Sequence, residues 1–210
     1  MLRPWVNDTE APSTMNVEEL IVRNRSYRRY DESKAVGIET LRNLVDIARR
    51  TPSAANRQPL KYVLIHDPEG CARLFPHLAW AGALKDWPGP AEGERPAAYV
   101  IILCDTRIAK DPGCDHGIAA QSMLLAAVER GLGGCMLGAI NRKGIREDFG
   151  IPERYEVLLV VSLGVPAETC ILEEAAPGGD VTYYRDAQSV HHVPKRPLDE
   201  VIFHPGILPK

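Results

Sequence analysis

Four arginines fall within seven positions, at Arg23, Arg25, Arg28 and Arg29, interleaved with Ser26 and Tyr27 and followed by Tyr30. No acid lies among them. A guanidinium presents a planar fork of donors that matches the oxygens of a phosphate, so the run reads as an anion site, although a solvated helix face could carry the same charges. A second stretch, Arg50-Thr51-Pro52-Ser53-Ala54-Ala55-Asn56-Arg57-Gln58-Pro59, joins two regular elements. Its prolines stiffen both ends and push Thr51 and Gln58 out of helical geometry. Ser53, Asn56 and Gln58 both donate and accept, and Ala54 and Ala55 leave room for a flat group against the backbone. Such a loop suits a heterocycle edge, or it is an ordinary loop capping a helix. A third stretch, Gly131 to Gly138, contains four glycines and lets backbone approach something closely. Lys195-Arg196 adds cations from the far end of the chain. Taken together, these stretches fit a planar heterocycle that carries a phosphate.

The elements that must position them follow from periodicity. Asn16 and Glu19 form a helix-start signature. Ile38, Leu41, Leu44, Val45, Ile47 and Ala48 recur at helical spacing, so residues 38–50 read as an amphipathic helix that delivers the chain to the Pro52–Pro59 loop. A strand is expected at 61–66, then a turn at Asp67-Pro68-Glu69-Gly70. Residues 71–97, with Trp80, Trp87 and many prolines and glycines, read as a lid of loops and short helices. Tyr99 to Cys104 reads as a buried strand. Residues 115–130 form a helix apolar nearly all round, which places it centrally or in a subunit interface. A short helix over 142–149, a buried strand over 157–163, an acidic loop after Pro166 and an arm from Val181 onward complete the chain.

The function classes that composition excludes are broad. A formal charge of −3 over 210 residues offers no electrostatic case for nucleic acid. No apolar run reaches the roughly 20 residues needed to cross a bilayer, and Met1 to Asn16 lacks the apolar core of a signal peptide. Cysteines 71, 104, 114, 135 and 170 are odd in number and widely spaced; they read as reduced, buried thiols of a cytoplasmic protein. Cys114-Asp115-His116 begins a helix, where adjacent residues do not converge on one ion, so no metal is expected. A leader over residues 1–15 and one domain over 16–210 are the expected organisation.

The chain resembles the FMN-dependent nitroreductase family. Arg25-Ser26-Tyr27-Arg28 with Tyr30 is similar to that family's first motif, and Pro52-Ser53-Ala54-Ala55-Asn56-Arg57-Gln58-Pro59 to its second. Gly131 to Gly138 and Lys195-Arg196-Pro197-Leu198 follow in the family's order. The resemblance implies an α+β fold of three layers, α/β/α, with a mostly antiparallel central sheet flanked by helices and an extended C-terminal arm. It implies a homodimer with FMN at the subunit interface. Arg25, Ser26, Arg28, Lys195 and Arg196 would hold the phosphate and ribityl end. Pro52, Ser53, Ala54, Asn56 and Gln58 would reach the flavin from the neighbouring subunit, and Met136, Leu137 and Gly138 would line its opposite face. Lys85 is a candidate for positive charge near flavin N1, and no catalytic residue is otherwise assigned. The implied activity is reduction of a nitroaromatic, a quinone or a similar electron-poor small molecule by NADH or NADPH in two half-reactions. A specialised relative (a dehalogenase or a flavin-fragmenting enzyme) and a non-catalytic flavin-binding module are the alternatives. The sequence departs from the pattern at Leu60, where many relatives carry an aromatic.

Overall fold

The computed structural model describes residues 15–203 and 205; the expected leader therefore lies outside the described residues except for Met15. Among the described residues, six α-helices and seven strands are arranged as α1 (Val17–Arg23), α2 (Ile38–Ala48), β1 (Leu60–Ile65), α3 (Pro68–Leu74), β2 (Ala98–Asp105), α4 (Asp115–Glu129), β3 (Gly133–Leu137), α5 (Arg142–Asp148), β4 (Tyr155–Gly164), β5 (Cys170–Glu174), β6 (Tyr184–Arg185), β7 (His191–Lys195) and α6 (Leu198–Val201). The main sheet has the order β1-β2-β4-β3 and is antiparallel at every pairing. Eight consecutive residues of β2 are buried, as a central strand covered on both faces requires.

Alternation along β2 separates two cores. Val100 and Ile102, with Val161 and Leu163 of β4, pack under Leu41, Leu44 and Ala48 of α2 and Ala120, Met123 and Leu124 of α4. Tyr99, Ile101 and Leu103 face the other way, towards Leu74 of α3, Trp80 and Ile145 of α5. The molecule thus has the three expected layers. A smaller sheet, β5-β7-β6, is built by the C-terminal arm, with β5 and β7 parallel.

Three segments differ from their sequence reading. Asp67-Pro68 does not make a turn: Asp67 caps α3 by accepting from Gly70 N–H at 2.7 Å, and Pro68 occupies the first helical position, where its missing N–H is no loss. Gly133 and Gly134, read only as part of a glycine-rich stretch, belong to an edge strand. The acidic stretch after Pro166 contains β5, whose short Cys170-Ile171-Leu172 run pairs with β7.

Candidate functional site

The arginine run leaves the helix before its site residues begin. α1 closes at Arg23, and Asn24, at ψ 101°, turns the chain into an extended path. Ser26 then pairs in parallel with Gly134 of β3, and Tyr27 N–H donates to the Gly134 carbonyl at 3.1 Å. Both glycines are required by close neighbours, Gly133 by the Tyr27 ring of this segment and Gly134 by β4 and α4. A Cβ at Gly134 would sit 2.3 Å from the Ser162 carbonyl oxygen, and one at Gly133 would sit 2.4 Å from the Tyr27 ring. Tyr30, fully buried, anchors the far end, its hydroxyl donating to the Tyr27 carbonyl and lying 2.9 Å from Ser162 Oγ.

Arg25 and Arg28 line one cavity of about 360 Å³ together with Ser26, Met136, Tyr183, His191 and Lys195. Asn24, Gln121 and Leu124 are further members of the wall, which among the described residues includes three cations and no carboxylate. The volume falls in the range of small-ligand sites. Arg25 donates to the Ile21 carbonyl at 2.7 Å and Arg28 to the Ser26 carbonyl at 3.1 Å; the Arg28 guanidinium also lies 5.0 Å from the Tyr183 ring centre. Burial lowers the pKa of Arg25 from its ordinary value, which leaves a guanidinium charged at neutral pH. The Nε atoms of both arginines, Asn24 Oδ1 and His191 Nδ1 are buried without a partner among the described residues. Asn24 Oδ1 can only accept, but the unpaired arginine Nε–H groups beside concentrated positive charge are donors that an oxyanion would satisfy. The residues therefore fit the phosphate of FMN. Positions 191, 193 and 195 of β7 all reach this wall because alternate residues of a strand share a face.

The Pro52–Pro59 loop stands elsewhere. Asp115, the first residue of α4 and 4 % exposed, accepts from Ser53 Oγ at 2.6 Å and from Ala54 N–H at 3.0 Å. Ser53 Oγ in turn accepts from Gln58 N–H at 2.9 Å. These bonds hold Ala55, Asn56 and Gln58 at φ values of 50°, 52° and 52°, a region that residues with a Cβ enter at a cost. Pro52, Ala54, Asn56 and Gln58 are all exposed. The loop borders a separate hollow of about 290 Å³ with Arg49, Thr51, Tyr62 and Asp115. Asp115 and Leu124 are nine residues apart on α4, which is about 13 Å along the axis and half a turn around it. The loop and the cationic cavity thus flank α4 on different sides.

The profile of the nitroreductase family matches residues 21–165, more than half of the chain. The chain belongs to this family of oxidoreductases. A relative from Methanothermobacter thermautotrophicus, provisionally named NADH dehydrogenase/NAD(P)H nitroreductase, is 32% identical over 163 residues, covering 74% of this chain and 80% of that protein. Among solved structures, a nitroreductase family protein of Clostridium difficile 630 superposes with a TM-score of 0.65 at 22% identity, over 92% of this chain and all of its own. A protein of Exiguobacterium sibiricum, provisionally named a nitroreductase and solved in complex with FMN, gives a TM-score of 0.63 at 18% identity, over 76% and 92% of the two chains.

Of the residues read as site members of this nitroreductase-family chain, Arg25, Ser26, Arg28, Met136 and Lys195 come together in the cavity. Pro52, Ser53, Ala54, Asn56 and Gln58 cluster in the loop. Leu137 turns its side chain to the opposite face of β3, 5 % exposed in the second core. Gly138 is exposed, and its carbonyl accepts from Arg142 at 3.3 Å. Arg196 lies outside the cavity wall and pairs with Glu200 at 3.6 Å. Lys85 is exposed on the lid segment and is also absent from that wall.

Three positioning residues carried no sequence signal that singled them out. Glu168, with its side chain 1 % exposed, accepts from the backbone N–H groups of Arg28 and, at 3.1 Å, Arg29, and pairs with Arg185 at 2.8 Å. Asp115 reads in sequence as a helix cap, and its acceptors serve the loop instead. Tyr183 joins the cavity to the lid, since its hydroxyl accepts from Ala83 N–H at 3.2 Å.

Proposed function

We propose that this nitroreductase-family chain is an FMN-dependent oxidoreductase that takes reducing equivalents from NADH or NADPH and passes them to a nitroaromatic, a quinone or a similar electron-poor small molecule. The observation that carries the reading is the acid-free cavity, with Arg25, Arg28 and Lys195 around buried polar atoms that lack partners. Arg25, Ser26, Arg28 and Lys195 would hold the phosphate. Met136 and the main chain of Leu137 and Gly138 would border the ring system. Bound FMN would supply the redox chemistry, accepting a hydride and delivering electrons to the acceptor; the chain would bind, orient and surround it.

The same reading includes a homodimer. The strained loop is exposed and lies half a turn around α4 from the phosphate cavity, so a flavin touching both kinds of residue would need the loop of a second copy. Half-exposed Ile118, Gln121, Ser122 and Leu125 form a stripe along α4 suited to that contact. Leu198, Val201, Ile202 and Phe203 of the arm are exposed apolar groups of the kind an interface covers. All five cysteines are free, which fits a reducing, cytoplasmic setting; only Cys104 and Cys135 are buried, and Cys114, just before α4, is exposed rather than buried as expected. No helix among the described residues is long and apolar enough to cross a membrane.

The test is to load the purified chain with FMN and add NADH or NADPH without oxygen, following the flavin absorbance. Bleaching by one or both, and recovery on adding a quinone or nitroaromatic, is the expected result. Bound flavin that neither nucleotide bleaches would overturn the hydride-donor assignment.

A further inference from the structure

His191 occupies an unusual position for a histidine. It lies on β7 in the wall of the cationic cavity and is 2 % exposed. Its Nε2 lies 3.5 Å from Nη1 of Arg28, and its Nδ1 has no partner among the described residues. The Tyr183 ring packs against it with centroids 5.3 Å apart. An arginine nitrogen can only donate, so this contact forms in the tautomer that has its lone pair on Nε2 and its proton on Nδ1. The ring therefore carries a buried N–H with nothing to receive it, in a wall that also holds Arg25, Arg28 and Lys195.

We propose that His191 is a phosphate-binding residue, donating its ring N–H as a neutral imidazole to the phosphomonoester group of the flavin. The proposal rests on the FMN reading of the same cavity. A neutral donor is the form that the surroundings favour. Burial lowers the pKa of His191, and Arg28, Arg185 and His192 act in the same direction against the opposing charge of Glu168. Glu168 is already engaged by Arg185 and by two backbone N–H groups, so it offers His191 no hydrogen bond of its own. Cys170, paired with His191 across the β5–β7 register, is a thiol whose pKa burial raises to about 12, so it brings no charge at neutral pH. Arg25 and Lys195 supply the compensating positive charge, and the imidazole supplies direction. The arrangement would favour FMN over riboflavin, which has the same ring system and no phosphate.

The experiment uses the full chain freed of flavin and measures FMN and riboflavin affinity by flavin fluorescence, for the wild type, His191→Phe and His191→Asn. His191→Phe is expected to weaken FMN about tenfold, the effect of one lost hydrogen bond to a charged group, and to leave riboflavin unchanged. His191→Asn, whose side-chain amide can stand in for the ring N–H, should recover most of the loss. Equal losses for both flavins would mean that His191 only shapes the fold, and undiminished FMN affinity in His191→Phe would remove it from the site. A second readout needs no variant. In ¹⁵N-labelled wild type at pH 7, the His191 ring signal should shift with FMN and with inorganic phosphate, keep the pattern of a neutral ring, and stay in place with riboflavin. An unmoved signal, or an imidazolium pattern in the complex, would overturn the proposal. Wild type that binds neither flavin, yet shows the shift with phosphate, would instead refute the FMN reading and leave an anion site.

Discussion

Asp115→Ala is the most informative single change in the loop. Asp115 is buried and accepts two hydrogen bonds, from Ser53 Oγ at 2.6 Å and Ala54 N–H at 3.0 Å. Bonds to an ionised carboxylate contribute roughly 1.5–3 kcal/mol each, so the pair contributes on the order of 3–6 kcal/mol. Opposing it are three non-glycine residues in the left-handed region, Ala55, Asn56 and Gln58, each costing on the order of 1–3 kcal/mol. The two sums are of similar size, so without the carboxylate the loop should leave its strained path. Much of the lost bond energy would be regained by that relaxation, leaving a net destabilisation of about 2–3 kcal/mol and a fall in Tm of about 4–12 °C for a chain of this size. Hydrogen exchange over residues 52–60 should rise at the same time. Asp115→Asn, which keeps one acceptor oxygen, should fall between. A variant Asp115→Ala with unchanged exchange in the loop and a Tm within about 2 °C of wild type would refute the view that this carboxylate holds the strain.

Gly134→Ala should destabilise the fold by at least about 1–3 kcal/mol, because the new methyl would meet the Ser162 carbonyl at 2.3 Å and the Leu124 side chain at 2.5 Å; chemical denaturation measures it, while an alanine at Gly131, where the strain is conformational and no atom lies within 4 Å, should leave the Ser26–Gly134 pairing intact. His192 contacts Glu173 at 2.5 Å and Asp186 at 3.1 Å, and these partners, Asp186 first, raise its pKa above the ordinary value. A raised folded-state pKa means stabilisation that is complete below the unfolded value of about 6.5 and lost as pH rises through the folded one; exchange in β6 and β7 should therefore increase between pH 6 and pH 9 in excess of the intrinsic rate, and His192→Gln should abolish that excess. Tyr183→Phe removes the acceptor of Ala83 N–H and should raise exchange at residues 81–87 without lowering Tm by more than about 4 °C.

The parts of the fold that could be read in the sequence were those with strong periodicity or a local cap. Helix 38–50 appears as Ile38–Ala48, and the apolar run Tyr99–Cys104 as the buried strand Ala98–Asp105. The capping box at Asn16 and Glu19 is present, with both bonds at 2.9 Å. What escaped depended on contacts far away in sequence. Gly133 and Gly134 gave no strand signal, because two glycines weaken any such signal, yet they are strand residues packed closely against Tyr27 and Ser162 on remote segments. Arg25 and Arg28, three apart, would share a face on a helix; they share a cavity on an extended path instead, because the Ser26–Gly134 pairing and Glu168 fix the backbone between them. Glu168 is 140 residues from Arg28, and nothing local to either residue announces the contact. The loop's polar, proline-bounded character was legible from its residue types, whereas its anchor was not, since an acid at the start of a helix ordinarily serves as a cap.

Arg25→Ala tests the proposed phosphate site most directly. FMN and riboflavin affinities should be measured by equilibrium dialysis and fluorescence for wild type and variant side by side, with the dimer content of both checked by sedimentation. Loss of one charge-assisted contact, roughly 1.5–3 kcal/mol, predicts that FMN binding weakens about tenfold to a hundredfold. Riboflavin should bind the wild type more weakly than FMN does, and with the same affinity in the variant. An Arg25→Ala protein that retains its full FMN content and affinity after dialysis would contradict the account and return the arginine run to a solvated face.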